Sequence, residues 1–198
     1  MNCVPKSISP CIETLLCVEG MVSHLPWHQA RFDQTRKELY NDTSALLLSS
    51  HVPLPPQGRY RLRVEYTHKI LNVEAIPYVP RTIERLEIVP SNVAYAYKYA
   101  QRHALDTLIQ SGMDDVIITC KGELRDTTIA NIALLVDGQW LTPKTPLLEG
   151  TTRARLLCSG FLKTAILTTQ SLQKMEKFAI MNALLGFKIL ENPQIKGL

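Results

Sequence analysis

The chain contains a polar stretch, Gly122-Glu-Leu-Arg-Asp-Thr-Thr-Ile-Ala-Asn131, between two apolar runs that have the pattern of strands. A second stretch, Gly150-Thr-Thr-Arg153, opens a predicted helix, and the N–H groups of a helix N-terminus attract phosphate. Lys98 lies upstream of both and offers a primary amine. We interpret the region from Tyr95 to Arg153 as the surroundings of one cofactor, which the rest of the chain shapes and closes.

On either side of this region, strand and helix patterns alternate as in an α+β protein. Before Pro90 we predict a hairpin of residues 9–18 and 21–22, a helix over 25–40, and strands from residue 58, at 70–77 and at 82–89. After it we predict helices over 101–110 and 153–158, strands at 115–119, 123–126, 132–136 and 139–141, and short elements to residue 190. Pro90 marks the predicted boundary between a small N-terminal α+β domain, 1–90, and a larger C-terminal α/β domain, 91–198.

Composition excludes several classes of protein. The net charge of +4 over 198 residues comes from scattered Lys and Arg, so no nucleic-acid surface is expected. The five cysteines are odd in number and lack CxxC spacing, which indicates reduced thiols and no metal site. No apolar run is long enough for a signal peptide or a membrane span. We therefore expect a soluble, cytoplasmic protein.

Lys98 lies among alanines and tyrosines, in Val93-Ala-Tyr-Ala-Tyr-Lys-Tyr-Ala100. If this segment is extended, Tyr95, Tyr97 and Tyr99 share one face, and Lys98 shares the other with alanines. Burial there would lower the pKa of the amine and allow it to form a Schiff base. The alternative is an edge-strand lysine that points to water. The segment alone favours that alternative.

The other polar residues also have both a functional and a structural interpretation. Asp126 could meet a protonated pyridine nitrogen or cap its own turn. Thr151 and Thr152 could bind phosphate or cap a helix without a ligand. Arg31 could clamp the same phosphate or be solvated, and His28 is more often packed than catalytic. Each signal is weak alone, and it is their order along the chain that favours a site.

Five motifs in order resemble those of the fold-type IV pyridoxal 5′-phosphate enzymes, the class IV aminotransferase and aminodeoxychorismate lyase family. They are Ile12-Glu-Thr-Leu-Leu-Cys-Val-Glu-Gly20, Trp27-His-Gln-Ala-Arg31, Tyr97-Lys-Tyr-Ala-Gln-Arg102, Arg125-Asp-Thr-Thr-Ile-Ala-Asn-Ile132 and Leu148-Glu-Gly-Thr-Thr-Arg153. The resemblance covers nearly the whole chain. It implies the two-domain fold of D-amino acid aminotransferases in an unusually short form.

The resemblance also implies roles. Lys98 is expected to be the catalytic Schiff-base lysine, and Asp126 the acid at the pyridine nitrogen of pyridoxal 5′-phosphate. The cofactor-binding residues are expected to be Arg31, Lys98, Asp126, Asn131, Thr151, Thr152 and Asn182. Thr14, Arg102 and Arg153 are candidates for binding a small-molecule amino substrate. The family further implies a homodimer, with each site between the two domains and near the partner subunit.

Two departures bear on the activity. The family acid is usually glutamate, whereas Asp126 is one methylene shorter, and the loops that select substrate are reduced. The Asn182-Ala-Leu184 segment and Thr14 resemble features of aminodeoxychorismate lyases. We therefore expect a 4-amino-4-deoxychorismate lyase-like enzyme of folate biosynthesis, which releases 4-aminobenzoate and pyruvate. A class IV aminotransferase of the branched-chain or D-amino acid type is the alternative, and a non-catalytic cofactor-binding homologue is a third.

Overall fold

The computed structural model describes residues 9–198, so Cys3 lies outside the described residues. The chain divides into two compact units. The first contains residues up to Tyr78 and Tyr97–Gln101, and the second contains Val79–Ala96 and Arg102–Leu198. This division differs from the predicted boundary at Pro90, because a strand that ends at Pro90 pairs in parallel with a strand of the second unit.

The first unit is a four-stranded antiparallel sheet with one helix. Its elements are β1 (Cys11–Val18), β2 (Met21–Val22), α1 (Leu25–Tyr40), a 3₁₀ helix (Leu48–Ser50), β3 (Arg59–Tyr66) and β4 (Ile70–Pro77). The strand order is β2-β1-β3-β4. Leu15 of β1, Leu62 of β3 and Phe32 of α1 are fully buried in one core. The predicted hairpin, helix and strands of this part are confirmed.

Helix α1 has the bounds that the sequence predicts. Pro26 lies in its first turn, where a missing N–H costs no hydrogen bond. Asn41 ends the helix with φ of 53°, and its N–H donates to the Arg36 carbonyl oxygen. With 16 residues, α1 is the longest helix of residues 9–198. None of the helices in that range has both the length and the apolarity to cross a membrane.

The second unit contains two sheets that share a core. Its elements are β5 (Arg85–Pro90), α2 (His103–Asp106), β6 (Asp115–Cys120), β7 (Glu123–Leu124), β8 (Asn131–Val136), β9 (Gln139–Pro143), α3 (Thr151–Cys158), β10 (Lys163–Ala165), α4 (Thr169–Lys174), β11 (Lys177–Asn182), β12 (Gly186–Leu190) and β13 (Gln194–Lys196). The sheets have the orders β10-β9-β8-β11-β12 and β13-β5-β6-β7. Ile117 of one sheet and Ile132 and Phe178 of the other share the core.

Tight turns fix the register of the short hairpins. Asp137 and Gly138 have φ of 49° and 71°, so both central residues have the positive φ of a type I′ turn. Glu19 and Gly20 join β1 to β2 with φ of 48° and 77°. The sequence predicts both turns from an acidic residue followed by glycine, and both are confirmed.

Two predicted segments are wrong in part. The helix expected over 101–110 is only the four residues of α2, because the N–H groups of Leu108 and Ile109 donate to carbonyl oxygens three residues back and the α-helical pattern stops. The segment around Lys98 is not an extended strand. It bends at residues 96–97, and Tyr95 belongs to the second unit whereas Tyr97 belongs to the first.

Candidate active site

In the first unit, strand β1 holds two of the predicted site residues at neighbouring positions. The Glu13 carboxylate accepts hydrogen bonds from Arg31 Nε at 2.8 Å and from Arg31 Nη2 at 2.7 Å. One residue earlier, the Ile12 N–H donates to the Lys98 carbonyl oxygen at 2.8 Å. Arg31 and Lys98 are far apart in sequence, yet adjacent residues of one strand anchor them.

Glu13, Arg31 and His28 form a buried charged cluster between β1 and α1. Their side chains are 0%, 15% and 1% exposed, respectively, and His28 Nδ1 lies 2.6 Å from Glu13 Oε2. Burial alone would raise the pKa of Glu13, but the charge of Arg31 and the hydrogen bonds from His28 and Arg31 lower this pKa to about 2. Glu13 is therefore an anion at neutral pH.

Lys98 is the central residue of a tight turn. The Tyr99 N–H donates to the Tyr97 carbonyl oxygen at 2.9 Å, which is the hydrogen bond of a γ-turn. Tyr99 also forms a bridge with Cys11 of β1. The rings of Tyr97 and Tyr99 lie edge to face with centroids 6.1 Å apart and pack on the core of the first unit. Both neighbours of Lys98 are thus held in place, and Lys98 itself is half-buried.

In the second unit, Asp126 is a buried carboxyl group that accepts hydrogen bonds from three donors. It is 3% exposed, its Oδ2 accepts from the N–H groups of Leu147 and Leu148 at 2.9 Å each, and its Oδ1 accepts from Asn131 Nδ2 at 2.8 Å. Burial raises the pKa of Asp126 to about 6, although these hydrogen bonds and the charge of Arg153 act to lower it. A nearby cation would stabilise the anionic form.

Asn131 connects Asp126 to the loop that leads into α3. Its Nδ2 donates to the Leu148 carbonyl oxygen at 2.8 Å as well as to Asp126. Gly150 packs directly against the Asn131 side chain, so a Cβ at residue 150 would overlap Asn131 Oδ1. Because Gly150 has an ordinary φ of −72°, the need for glycine is steric and does not come from the backbone conformation.

The N-terminus of α3 follows directly. Gly150 is its N-cap residue and, because glycine has no side chain, makes no side-chain capping hydrogen bond. Thr151 and Thr152, in the first turn, are 7% and 4% exposed. The first N–H groups of a helix have no partner within it and carry a partial positive charge. An uncapped, largely buried N-terminus of this kind suits an anion such as phosphate.

Asn182 closes the turn after β11 and reaches toward the same region. Its Oδ1 accepts from the backbone N–H groups two and three residues later at 2.9 Å each. Its Nδ2 donates to the Ile129 carbonyl oxygen at 3.2 Å. The preceding residue, Met181, pairs with Asn131 across β11 and β8. The second unit thus brings Asp126, Asn131 and Asn182 into one region.

The residues predicted to bind substrate have structural contacts of their own. Thr14 is half-buried on β1. Arg102 Nη2 donates to the Thr128 carbonyl oxygen at 2.7 Å. Arg153 is 3% exposed, and its Nη2 donates to the Pro143 carbonyl oxygen at 2.9 Å. The two arginines therefore support the backbone of the second unit, and their contact with substrate stays a prediction.

Two buried acids near these residues were not predicted. Asp115 is fully buried, and its Oδ1 accepts from the Thr128 N–H at 3.0 Å and the Thr128 hydroxyl at 2.7 Å, within the segment from Asp126 to Asn131. Nothing in the sequence indicated Asp115. For Glu13 a signal existed, because strand alternation places it on the apolar face of β1, where a carboxylate needs a partner.

Comparison with known proteins gives a family match. The profile of the family described as Amino-transferase class IV matches residues 70–189, which is more than half of the chain. A protein of Haemophilus influenzae, itself uncharacterized, is 25% identical over 185 residues, which are 89% of this chain and 98% of that protein. Thr14 and Arg31 precede the matched residues, so the roles predicted for them depend on the sequence motifs and the geometry alone.

Solved structures share the fold. A proposed 4-amino-4-deoxychorismate lyase from Haemophilus somnus has a TM-score of 0.81 and 25% identity, over 90% of this chain and 97% of that one. A proposed amino-acid aminotransferase from Mesorhizobium loti has a TM-score of 0.77 and 22% identity, over 92% and 98% of the two chains. A hypothetical aminotransferase from Mycobacterium tuberculosis, bound to α-ketoglutarate and PMP, has a TM-score of 0.79 and 16% identity, over 98% and 83%. The last two comparisons show the fold alone.

Proposed function

The chain belongs to the class IV aminotransferase family, which consists of pyridoxal phosphate enzymes, and on this premise we propose that it is a 4-amino-4-deoxychorismate lyase-like enzyme. It would cleave 4-amino-4-deoxychorismate to 4-aminobenzoate and pyruvate. The observation that carries the proposal is the buried Asp126, which Asn131 joins to the uncapped N-terminus of α3. The acid proposed to face the ring nitrogen and the helix N-terminus proposed to bind the phosphate thus belong to one hydrogen-bonded group of residues.

The residues fit the cofactor by their chemistry. A pyridoxal phosphate site needs a primary amine, an acid that can face a pyridinium nitrogen, and donors for a phosphate. Lys98, Asp126 and the first turn of α3 supply these groups. Among residues 9–198, no three His, Cys, Asp or Glu side chains lie together as ligands for a metal ion. The donor set therefore suits the organic cofactor.

Each residue then has a defined task. Lys98 would hold the cofactor covalently through Nζ and, once released, would take the proton from the substrate α-carbon as a general base. Asp126 would keep the proton on the ring nitrogen. Thr151, Thr152, Arg31 and Asn182 would bind the phosphate, and Asn131 would orient Asp126. When bound, pyridoxal phosphate supplies the electron-accepting ring that stabilises negative charge at the α-carbon.

The lyase reaction is proposed ahead of amino-group transfer for two reasons. The Haemophilus somnus structure, which is the more similar in sequence of the solved structures compared above, carries a lyase description and aligns over 97% of its length. In addition, the Asn182 side chain accepts two hydrogen bonds that organise the turn of the lyase-like Asn-Ala-Leu segment. We also propose that the enzyme is a cytoplasmic homodimer, with Thr14, Arg102 and Arg153 near the substrate.

Amino-group transfer between an amino acid and a 2-oxo acid is the second candidate, because the family match and the Mesorhizobium loti structure both carry an aminotransferase description. The two reactions share the removal of the α-proton. They differ in their products, which would be 4-aminobenzoate and pyruvate for the lyase and a new pair of amino acid and 2-oxo acid for the transferase.

One experiment separates these reactions. The cofactor-loaded protein is incubated with 4-amino-4-deoxychorismate, and 4-aminobenzoate and pyruvate are measured. In parallel it is incubated with glutamate, alanine or branched-chain amino acids in both enantiomers, and the spectrum is followed for conversion to the pyridoxamine form. Release of both products without that conversion supports the lyase. Conversion without 4-aminobenzoate supports transfer, and neither reaction favours a non-catalytic homologue.

A further inference from the structure

We propose that Glu13 is a positioning residue for the cofactor phosphate, because it holds the Arg31 guanidinium in one orientation toward that group. This inference rests on the proposed function, in which Arg31 binds the phosphate. The family match begins at residue 70 and does not reach Glu13. The role of Glu13 is therefore inferred from the contacts of this chain alone.

The ion pair fixes the plane of the guanidinium. Arg31 Nε and Nη2 donate to the two different oxygens of Glu13 at 2.8 Å and 2.7 Å, so the pair is bidentate. A guanidinium has five N–H donors in a rigid planar fork, and this pair uses two of them. The other N–H groups of the same fork lie in the same plane. The direction of those donors follows from the plane that Glu13 sets.

Glu13 is itself rigidly held. Its side chain is fully buried, and His28 Nδ1 lies 2.6 Å from the same Oε2 that accepts from Arg31. Its backbone lies inside the sheet, where Glu13 pairs with Val64 of β3. The residue before it, Ile12, binds the Lys98 carbonyl oxygen. Glu13 thus ties the proposed phosphate ligand to the strand that also anchors the proposed catalytic lysine.

The charge of Glu13 and its orienting role predict opposite changes in phosphate binding when Glu13 is removed. A carboxylate beside Arg31 offsets the positive charge that attracts a phosphate dianion, so its removal should strengthen phosphate binding if charge decides. If orientation decides, removal of Glu13 should weaken that binding, because a mobile guanidinium must be ordered when phosphate binds. The two interpretations therefore differ in sign, and one measurement separates them.

The test compares two ligands that differ only in the phosphate group. Dissociation constants for pyridoxal phosphate and for pyridoxal are measured by absorbance titration of the full chain. The ratio of the two constants reports the contribution of the phosphate. The variants are Glu13→Gln, which removes the charge, and Glu13→Asp, which keeps the charge and withdraws the carboxylate. Arg31→Lys is the reference variant that loses the planar guanidinium group. Glu19→Gln, on the exposed hairpin turn, is the matched control.

We expect both Glu13 variants to weaken pyridoxal phosphate binding about tenfold and to leave pyridoxal binding within about threefold, as for a lost bidentate contact. Glu19→Gln should match the wild type. If Glu13→Gln does not fold, Glu13→Asp and the milder His28→Gln carry the same comparison, since each disturbs the orientation and keeps the carboxylate charge.

Several outcomes would overturn the proposal. These are an unchanged or increased phosphate preference in Glu13→Gln, a wild-type preference in Glu13→Asp, or equal losses for both ligands. If Arg31→Lys lowers the preference and the Glu13 variants do not, this inference alone fails. If Arg31→Lys also has no effect, the phosphate role of Arg31 in the proposed function fails with it.

Discussion

Asn131 is bonded to Asp126 and to the loop that leads into α3 through a single amide nitrogen. Its Nδ2 lies 2.8 Å from Asp126 Oδ1 and 2.8 Å from the Leu148 carbonyl oxygen. Asp126 binds the same loop directly, through the N–H groups of Leu147 and Leu148. The acid and the helix N-terminus proposed to bind phosphate are therefore one cooperative unit, and a change in either should affect both.

Replacement of Asn131 by alanine tests this coupling. Asn131→Ala removes the shared donor of the buried Asp126 Oδ1 and of the partly buried Leu148 carbonyl oxygen. An unsatisfied buried acceptor costs about 1–3 kcal/mol, so the free energy of unfolding should fall by about 2–4 kcal/mol. Urea denaturation measures it. Asn72→Ala on exposed β4 is the control and should stay within about 0.5 kcal/mol of the wild type. A similar small effect for Asn131→Ala would contradict the coupling.

The raised pKa of Asp126 predicts a pH dependence in the cofactor-free protein. Because the native state binds this proton more tightly than the unfolded state, the free energy of unfolding should decrease as pH rises from about 4 to above 6. A shift from 3.8 to about 6 corresponds to about 3 kcal/mol. Urea denaturation of the wild type and Asp126→Asn across this range isolates the effect as their difference. A difference in the free energy of unfolding that does not vary with pH would contradict a raised pKa for the buried Asp126 carboxyl.

The cofactor should remove that pH dependence. A protonated ring nitrogen beside Asp126 would stabilise the carboxylate and lower its pKa, so the decrease between pH 4 and 6 should disappear when pyridoxal phosphate is bound. A pH dependence that persists in the loaded protein would argue against contact between Asp126 and the ring nitrogen.

The Glu13 cluster predicts a dependence of the opposite sign. The pKa of Glu13 is lowered from 4.5 to about 2. The ionised Glu13 therefore contributes its full stabilisation above about pH 4.5, and this contribution is lost as pH falls toward 2. The loss should amount to about 3 kcal/mol in the wild type and be absent from Glu13→Gln. Acid denaturation measures this difference. Glu191→Gln, on an exposed residue, should retain the wild-type acid profile.

Gly150 provides a steric test of the phosphate turn. A Cβ at this residue would overlap the Asn131 side chain, so Gly150→Ala should destabilise the protein and weaken pyridoxal phosphate binding by displacing the start of α3. Gly138→Ala is the matched control, because it costs about 1 kcal/mol through its positive φ of 71° and meets no neighbouring atom. Thermal unfolding and cofactor titration follow the two effects. Equal cofactor affinities in both variants would contradict the assignment of the turn.

Much of the fold could be predicted from local pattern. The start of α1 follows from Pro26 in its first turn, and the hairpins follow from the Glu19-Gly20 and Asp137-Gly138 pairs. These signals lie within a few residues of the elements that they define. The turn at Lys98 could not be predicted in this way. Its flanking residues pack on the core of the first unit, and that tertiary contact overrides the alternation of alanine and tyrosine.

The candidate site also contains both residues that the sequence predicts and residues that it does not. The motif order predicted Asp126, Asn131 and Gly150, which lie in one hydrogen-bonded region. The partner of Arg31 was not predicted, because Glu13 lies on β1 and Arg31 on α1, and these two elements meet only in the folded unit. Sequence pattern can indicate that a buried carboxylate needs a partner, but it does not identify which residue supplies it.

The proposed function depends above all on a covalent bond between Lys98 and pyridoxal phosphate. The most direct measurement is the absorbance of the wild type and Lys98→Ala with the cofactor, followed by borohydride reduction and peptide mapping. If Lys98 forms this bond, the wild type will show a bound-cofactor absorption band. Reduction will remove the band and fix the label on the peptide that contains Lys98, and the variant will carry no label. A wild type that stays colourless, or a variant that is labelled equally, would contradict it.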